Sequence, residues 1–111
     1  MAPQHMFDLR GRVAIVTGAS RGIGTALAHG LADAGAYVIA AARNLDACAQ
    51  VRDQIRAAGG MAEALEVDLT DTASIDRLVA STVELADRID IVINNAGLLR
   101  PHLTVKVTDA E

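Results

Sequence analysis

The feature that most constrains this 111-residue chain is an alternation of four short apolar runs with three amphipathic stretches. Val13-Ala14-Ile15-Val16-Thr17 is a β-branched run closed by a glycine, which reads as a buried strand. Residues 22–34 carry Ile23, Ala26, Leu27, Gly30 and Leu31 at helical spacing, and Gly35 marks the stop. Residues 37–41 predict a second strand. Residues 45–58 predict a helix with Leu45, Cys48, Val51 and Ile55 on one stripe, ended by Gly59-Gly60. Residues 62–67 predict a third strand, of lower propensity. Thr70 or Asp71 then caps a long helix bearing Ile75, Leu78, Val79 and Leu85, and residues 89–93 predict a fourth strand. Strands and helices in this order, with short joints, pack as parallel strands linked by right-handed crossovers, with helices on both faces. The expected fold class is α/β, a doubly wound parallel sheet of four strands in the order 3-2-1-4 with three helices. Residues 1–111 form a single, incomplete domain in this reading, after a flexible tail over residues 1–6. Ligands bind such sheets outside the C-terminal strand ends, where the winding reverses. Here those ends are Thr17-Gly18 and Asn94-Asn95.

Composition narrows the function classes. Aromatic residues make up only 2% of the chain, Phe7 and Tyr37, so Ala, Val, Ile and Leu must build the core, as they do between helices and parallel sheets. The net charge of −4 is scattered and forms no basic stripe, which argues against a nucleic-acid groove. No apolar run has the length of a membrane span, and the N-terminus lacks the pattern of a secretory signal. Cys48 is the single cysteine, so neither a disulfide framework nor a cysteine-based metal site is available, and Cys48 reads as core packing. His5, His29 and His102 lack a second ligand at metal spacing and read as surface residues. A reducing, cytoplasmic setting is expected, without nucleic-acid or membrane partners.

Directly after the first strand stands Thr17-Gly18-Ala19-Ser20-Arg21-Gly22-Ile23-Gly24. Glycines at 18, 22 and 24 allow a sharp turn and let a phosphate approach bare backbone. The amides of Ile23 and Gly24 fall at the open N-terminus of the first helix, where unpaired N–H groups and the helix dipole favour a pyrophosphate. Ser20 adds a hydroxyl and Arg21 a cation. The spacing is neither Gly-x-Gly-x-x-Gly nor a Walker loop. A plain glycine-rich turn is the competing reading, and the strand before and helix after weigh against it. Asn94-Asn95-Ala96-Gly97 ends the fourth strand across the crevice, where asparagines can tie strand ends together; an ordinary turn is the alternative.

With these two motifs in these places, the chain resembles the classical short-chain dehydrogenase/reductase family, whose glycine motif is Thr-Gly-x-x-x-Gly-x-Gly and whose fourth strand ends in Asn-Asn-Ala-Gly. The resemblance runs from about Phe7 to the end and includes Leu9-x-Gly11-x-Val13-Ala14, Asp68 and Arg88-Ile89-Asp90. It implies a Rossmann-type nicotinamide-dinucleotide site. Gly18, Ser20, Arg21, Gly22, Ile23 and Gly24 would hold the pyrophosphate and adjacent ribose. Asp68 and Leu69 would lie at the adenine, and Asn95, Ala96 and Gly97 at the ribose near the nicotinamide. Asn94 would serve structure. Taken without the resemblance, Asp68 is a solvated turn acid. An acid at the end of the second strand would accept the adenosine ribose hydroxyls and repel a 2′-phosphate. Ala42 stands there instead, followed by Arg43, with Arg21 on the same side. Two guanidiniums favour a phosphate, so NADP(H) is expected over NAD(H), unless Arg43 is merely a solvent-facing strand end.

The family's chemistry is hydride transfer between nicotinamide and a carbonyl or alcohol, through a Tyr with a Lys four residues on, a Ser and a helix Asn. None of these is found here. Tyr37 is followed at that spacing by Ala41, Lys106 has no tyrosine near it, and Ser74 and Ser81 fall on the third helix. No residue is assigned a catalytic role. Thr108-Asp109-Ala110-Glu111 reads as a capping box opening a further helix, so a truncated enzyme is expected, with the fourth strand left as an apolar edge. Asp87 stands where the family often has Gly, and strain is expected there. The intact family member would take a small-molecule carbonyl or alcohol substrate and form a homo-oligomer. A non-catalytic dinucleotide-binding module and a truncated scaffold fragment are the alternatives.

Overall fold

Every apolar run forms a strand and every amphipathic stretch a helix. The computed structural model describes residues 8–95 and, as backbone, residues 104–107. The elements are β1 (Val13–Thr17), α1 (Gly22–Asp33), β2 (Tyr37–Ala42), α2 (Leu45–Ala57), β3 (Met61–Glu66), α3 (Thr72–Ala86), β4 (Ile91–Asn94) and β5 (Thr104–Val107). The sheet order is β3-β2-β1-β4-β5. Its first four strands are parallel, with Val13 opposite Tyr37 and Thr17 opposite both Ala41 and Asn94. The doubly wound order 3-2-1-4 with three helices is therefore present. The third strand begins one residue earlier than its alternation suggested, and the fourth begins two residues later, because Asp90 is taken up by a buried ion cluster.

The expectation that β4 would lie at an open edge is corrected. β5 pairs antiparallel with it, Ile91 opposite Val107 and Asn94 opposite Thr104. An antiparallel neighbour needs only a returning loop, whereas a parallel one needs a crossover of a dozen or more residues. Thr104-Val105-Lys106-Val107 has the β-branched content to form it. The capping box at Thr108 to Glu111 lies outside the described residues, as do the tail and His102.

Period-two alternation sends each strand's side chains to two cores. Ala14, Val16, Val38, Ala40, Ala64, Ile91 and Ile93 meet Ala28 of α1 and Cys48, Val51 and Ile55 of α2. Val13, Ile15, Ile39, Ala41 and Val67 meet Leu78 of α3 on the other face, with Ile75 and Tyr37 at its margin. Alanines on the strands let the helices approach closely, which is how a chain so poor in aromatics fills its interior. Cys48 is fully buried there, and burial pushes its thiol up to about 11. His29 bridges α1 to α2 through Gln54 (3.1 Å).

Two side-chain clusters set the register of β1 against β4. At the N-terminal ends, the fully buried Asp90 carboxylate accepts from the Val13 N–H (2.8 Å) and from Arg88 Nε and Nη2 (2.8 and 2.6 Å), with Arg12 Nη1 at 3.5 Å. Burial works against its charge, but the hydrogen bonds from Arg88 and Val13 and the charges of Arg88 and Arg12 hold the carboxyl below the usual carboxylate range. At the C-terminal ends, the Thr17 hydroxyl donates to Asn94 Oδ1 (3.0 Å) and accepts from the Asn95 N–H (3.2 Å).

Candidate functional site: a cleft at the strand ends

The cleft opens where the fold predicts it, outside the C-terminal ends of the parallel strands, with a volume of about 820 Å³. That is the size range of cofactor sites. Three segments wall it. The first is the loop from β1 to α1, which contributes Gly18, Ser20, Arg21, Gly22 and Ile23. The second is the end of β2 and start of α2, with Ala42, Arg43, Asn44 and Ala47. Val67, Asp68, Leu69 and Thr70 form the third, and Asn95 closes the β4 side.

The glycine loop's geometry follows from its residues. Gly18 and Gly22 have φ of 66° and 62°, a region that side chains disfavour. A Cβ on Gly22 would meet nothing within 4 Å, so this wall of the cleft is bare backbone facing open space. Gly24 lies behind it, buried. A Cβ there would collide with the Gly18 carbonyl oxygen and stand 3.0 Å from Asn95 Nδ2, so only glycine lets the loop close onto β4. Thr25 Oγ1 donates to the Ala19 carbonyl (2.8 Å) and fastens the loop to α1. The N-cap of α1, Arg21, makes no side-chain capping bond and its first turn holds no acid, whereas Asn44 caps α2 (3.1 Å) and Asp71 caps α3 (3.0 Å). One helix start is thus left open at the cleft, with its dipole unanswered by the protein. These features fit a pyrophosphate on the loop.

The third wall is braced from within. Asp68 Oδ1 accepts from the Thr70 hydroxyl (2.7 Å) and the Thr70 N–H (3.0 Å). These two bonds, with a smaller contribution from the Arg43 charge, hold its carboxyl below the usual carboxylate range. The Val67 N–H is taken by the Ala42 carbonyl (3.0 Å), joining this wall to the Arg43 wall.

Of the residues singled out by sequence, Gly18, Ser20, Arg21, Gly22, Ile23, Arg43, Asp68, Leu69 and Asn95 line one cleft, and Gly24 supports it from behind. Ala96 and Gly97 lie outside the described residues. Asn94 points to Thr17 and serves the strand junction. Sequence reasoning missed Asn44, Ala47, Val67 and Thr70 on the walls. An Asn ahead of an amphipathic stretch is a capping signal that would have found the first. Among the described residues no group of three or more His, Cys, Asp or Glu is placed to hold a metal, and no helix is long and apolar enough to cross a membrane.

Comparison with known families decides the kinship. A family model described as short chain dehydrogenase matches residues 12–111. This chain belongs to the short-chain dehydrogenase family. One relative in the family, the rhamnolipids biosynthesis 3-oxoacyl-acyl-carrier-protein reductase of Pseudomonas aeruginosa, is 46% identical over 91 residues, which are 82% of this chain and 35% of that protein. A metagenomic short-chain oxidoreductase solved in complex with NADP superposes with a TM-score of 0.78 at 42% identity, over 81% of this chain and 41% of that one. The RhlG–NADP active-site complex of Pseudomonas aeruginosa gives a TM-score of 0.77 at 46% identity, over 83% and 37%. The chain therefore spans about two fifths of the length of these short-chain dehydrogenases or less.

Proposed function

We propose that this chain is the cofactor-binding part of an NADP(H)-dependent oxidoreductase that moves a hydride between nicotinamide and a carbonyl or alcohol substrate. The observation that carries the choice of cofactor is the wall at the end of β2. Ala42 offers no carboxylate there, Arg43 lines the cleft, and Arg21 lines it from the glycine loop. A ribose 2′-phosphate would meet two guanidiniums able to form charge-assisted bonds. The pyrophosphate would lie on the glycine loop at the open start of α1, the adenine against Asp68 and Leu69, and the nicotinamide ribose toward Asn95, Ala96 and Gly97. Both NADP complexes among the similar structures support this reading, and the relative named as a 3-oxoacyl reductase supports a carbonyl substrate.

Titration of the chain with NADPH and NADH tests it. We expect tighter binding of NADPH, and Arg43→Asp should weaken NADPH at least tenfold while sparing NADH. Equal affinities that Arg43→Asp leaves equal would overturn the NADP(H) assignment. A second reading, a dinucleotide-binding module without turnover, is favoured for the 111 residues alone by Tyr37, which sits in β2 at the margin of the α3-side core and not on the cleft wall. Binding without oxidation of NADPH in the presence of carbonyl substrates is the expected result for this chain. A homo-oligomer in a reducing, cytoplasmic setting belongs to the same proposal for the longer enzyme.

A further inference from the structure

Ser74 plays no part in the site as drawn so far, yet it is only 7% exposed and sits in the first turn of α3. Its hydroxyl oxygen accepts the backbone N–H of Asp68 at 2.9 Å. Asp71 holds the N-cap and serves the helix's own N-terminus, so the Ser74 hydroxyl, three residues on, is left to reach back beyond the helix. The other peptide groups that fix this loop are bonded to sheet or loop: the Val67 N–H to Ala42, the Thr70 N–H to Asp68 Oδ1, and the Asp71 N–H to the Asp68 carbonyl (3.0 Å). Only the Asp68 N–H is held by a side chain from α3. Thr70 occupies Asp68 Oδ1, and among the described residues Oδ2 takes no hydrogen bond. Asp68 lines the cleft, so this oxygen is free to accept from a donor that a ligand brings in place of water.

Resting on the dinucleotide reading above, we infer that Ser74 is a positioning residue for the adenine end of the cleft, holding the β3–α3 loop so that Asp68 presents its carboxylate to the 6-amino group of the base. The physical warrant is asymmetry. The Ser74–Asp68 bond contributes about 1 kcal/mol, but a part-buried N–H left without an acceptor costs about 1–3 kcal/mol, so the loop moves to reach water and takes the carboxylate with it. A 6-oxo base has no 6-amino group for that oxygen to accept from, so its binding depends less on where the carboxylate sits.

The test compares Ser74→Ala, Ser74→Thr and Asp68→Asn with the parent chain, by titration with NADPH and with its hypoxanthine analogue. Ser74→Ala is expected to weaken NADPH about five- to tenfold and to change the analogue less than twofold. Ser74→Thr keeps the hydroxyl and should restore NADPH affinity, while Asp68→Asn should reproduce the alanine pattern. Amide hydrogen exchange on the ligand-free chain supplies a readout independent of binding: Ser74→Ala should speed exchange at Asp68 and leave β1 and β2 unchanged. Equal losses for both dinucleotides, or unaltered exchange at Asp68, overturns the inference. NADPH loss in Asp68→Asn but not in Ser74→Ala leaves the site reading intact and removes Ser74 from it. If the folded parent binds neither dinucleotide, the site reading fails and the inference falls with it.

Discussion

Asp90 and Asp87 show how far two acids three residues apart can differ. Asp90 has no solvent exposure and depends on Arg88, Arg12 and the Val13 N–H for its charge. Asp90→Ala removes the acceptor of a buried N–H and leaves Arg88 without this partner, and should lower stability by about 3 kcal/mol in denaturant titration. Its pH dependence follows from the depressed carboxyl. The contribution is fully present above the unfolded-state value near 3.9 and is lost as pH falls through the lower folded-state value. The stability gap between parent and Asp90→Asn should therefore stay constant from pH 7 to about 5 and shrink only below about pH 4. A gap that already narrows between pH 7 and 6 would mean another group carries it. Asp87, by contrast, is the C-cap of α3 with φ 76°, the one described non-glycine residue in the left-handed region. Asp87→Gly should raise stability by about 1 kcal/mol, read as a Tm increase of about 5 °C. The strain expected at this residue is visible as that backbone angle.

At the scale of elements, β5 is the one strand that periodicity did not reveal. Its pairing depends on β4 presenting a free row of N–H and C=O groups, which no pattern along the chain records. Removal of residues 104–107 should expose that row, and sedimentation velocity should then show concentration-dependent association that the parent chain lacks. A deletion variant that stays monomeric to high concentration would show that β4 does not need this cover. The other elements were legible for the opposite reason. β1 and β2 are buried along almost their whole length, so their sequences are continuous apolar runs, and α2 repeats its buried residues at 48, 51 and 55. The weaker β3 lies at the other sheet edge, where Glu63 is half-buried and Glu66 exposed, and these two acids dilute the apolar pattern.

For the whole molecule, the cleft joins three segments that the sheet holds together, so a ligand spanning them should stabilise the fold as a unit. At 100 times its dissociation constant NADPH should add about 2.7 kcal/mol of stability, and thermal melts should rise with its concentration. No rise with NADPH, in a chain that melts cooperatively, would speak against the cleft as its site. The sequence by itself determined the strand and helix order, the winding, the glycine loop and the position of the cleft, because each rests on local periodicity or on backbone freedom carried by single residues. The tertiary structure alone decided the rest. Thr17 met Asn94 and Asn95, Asp90 met Val13, and Ser74 reached the Asp68 amide. Two of these three junctions join residues more than seventy positions apart, and all three depend on where a strand or helix end is placed in space, which no periodicity along the chain records.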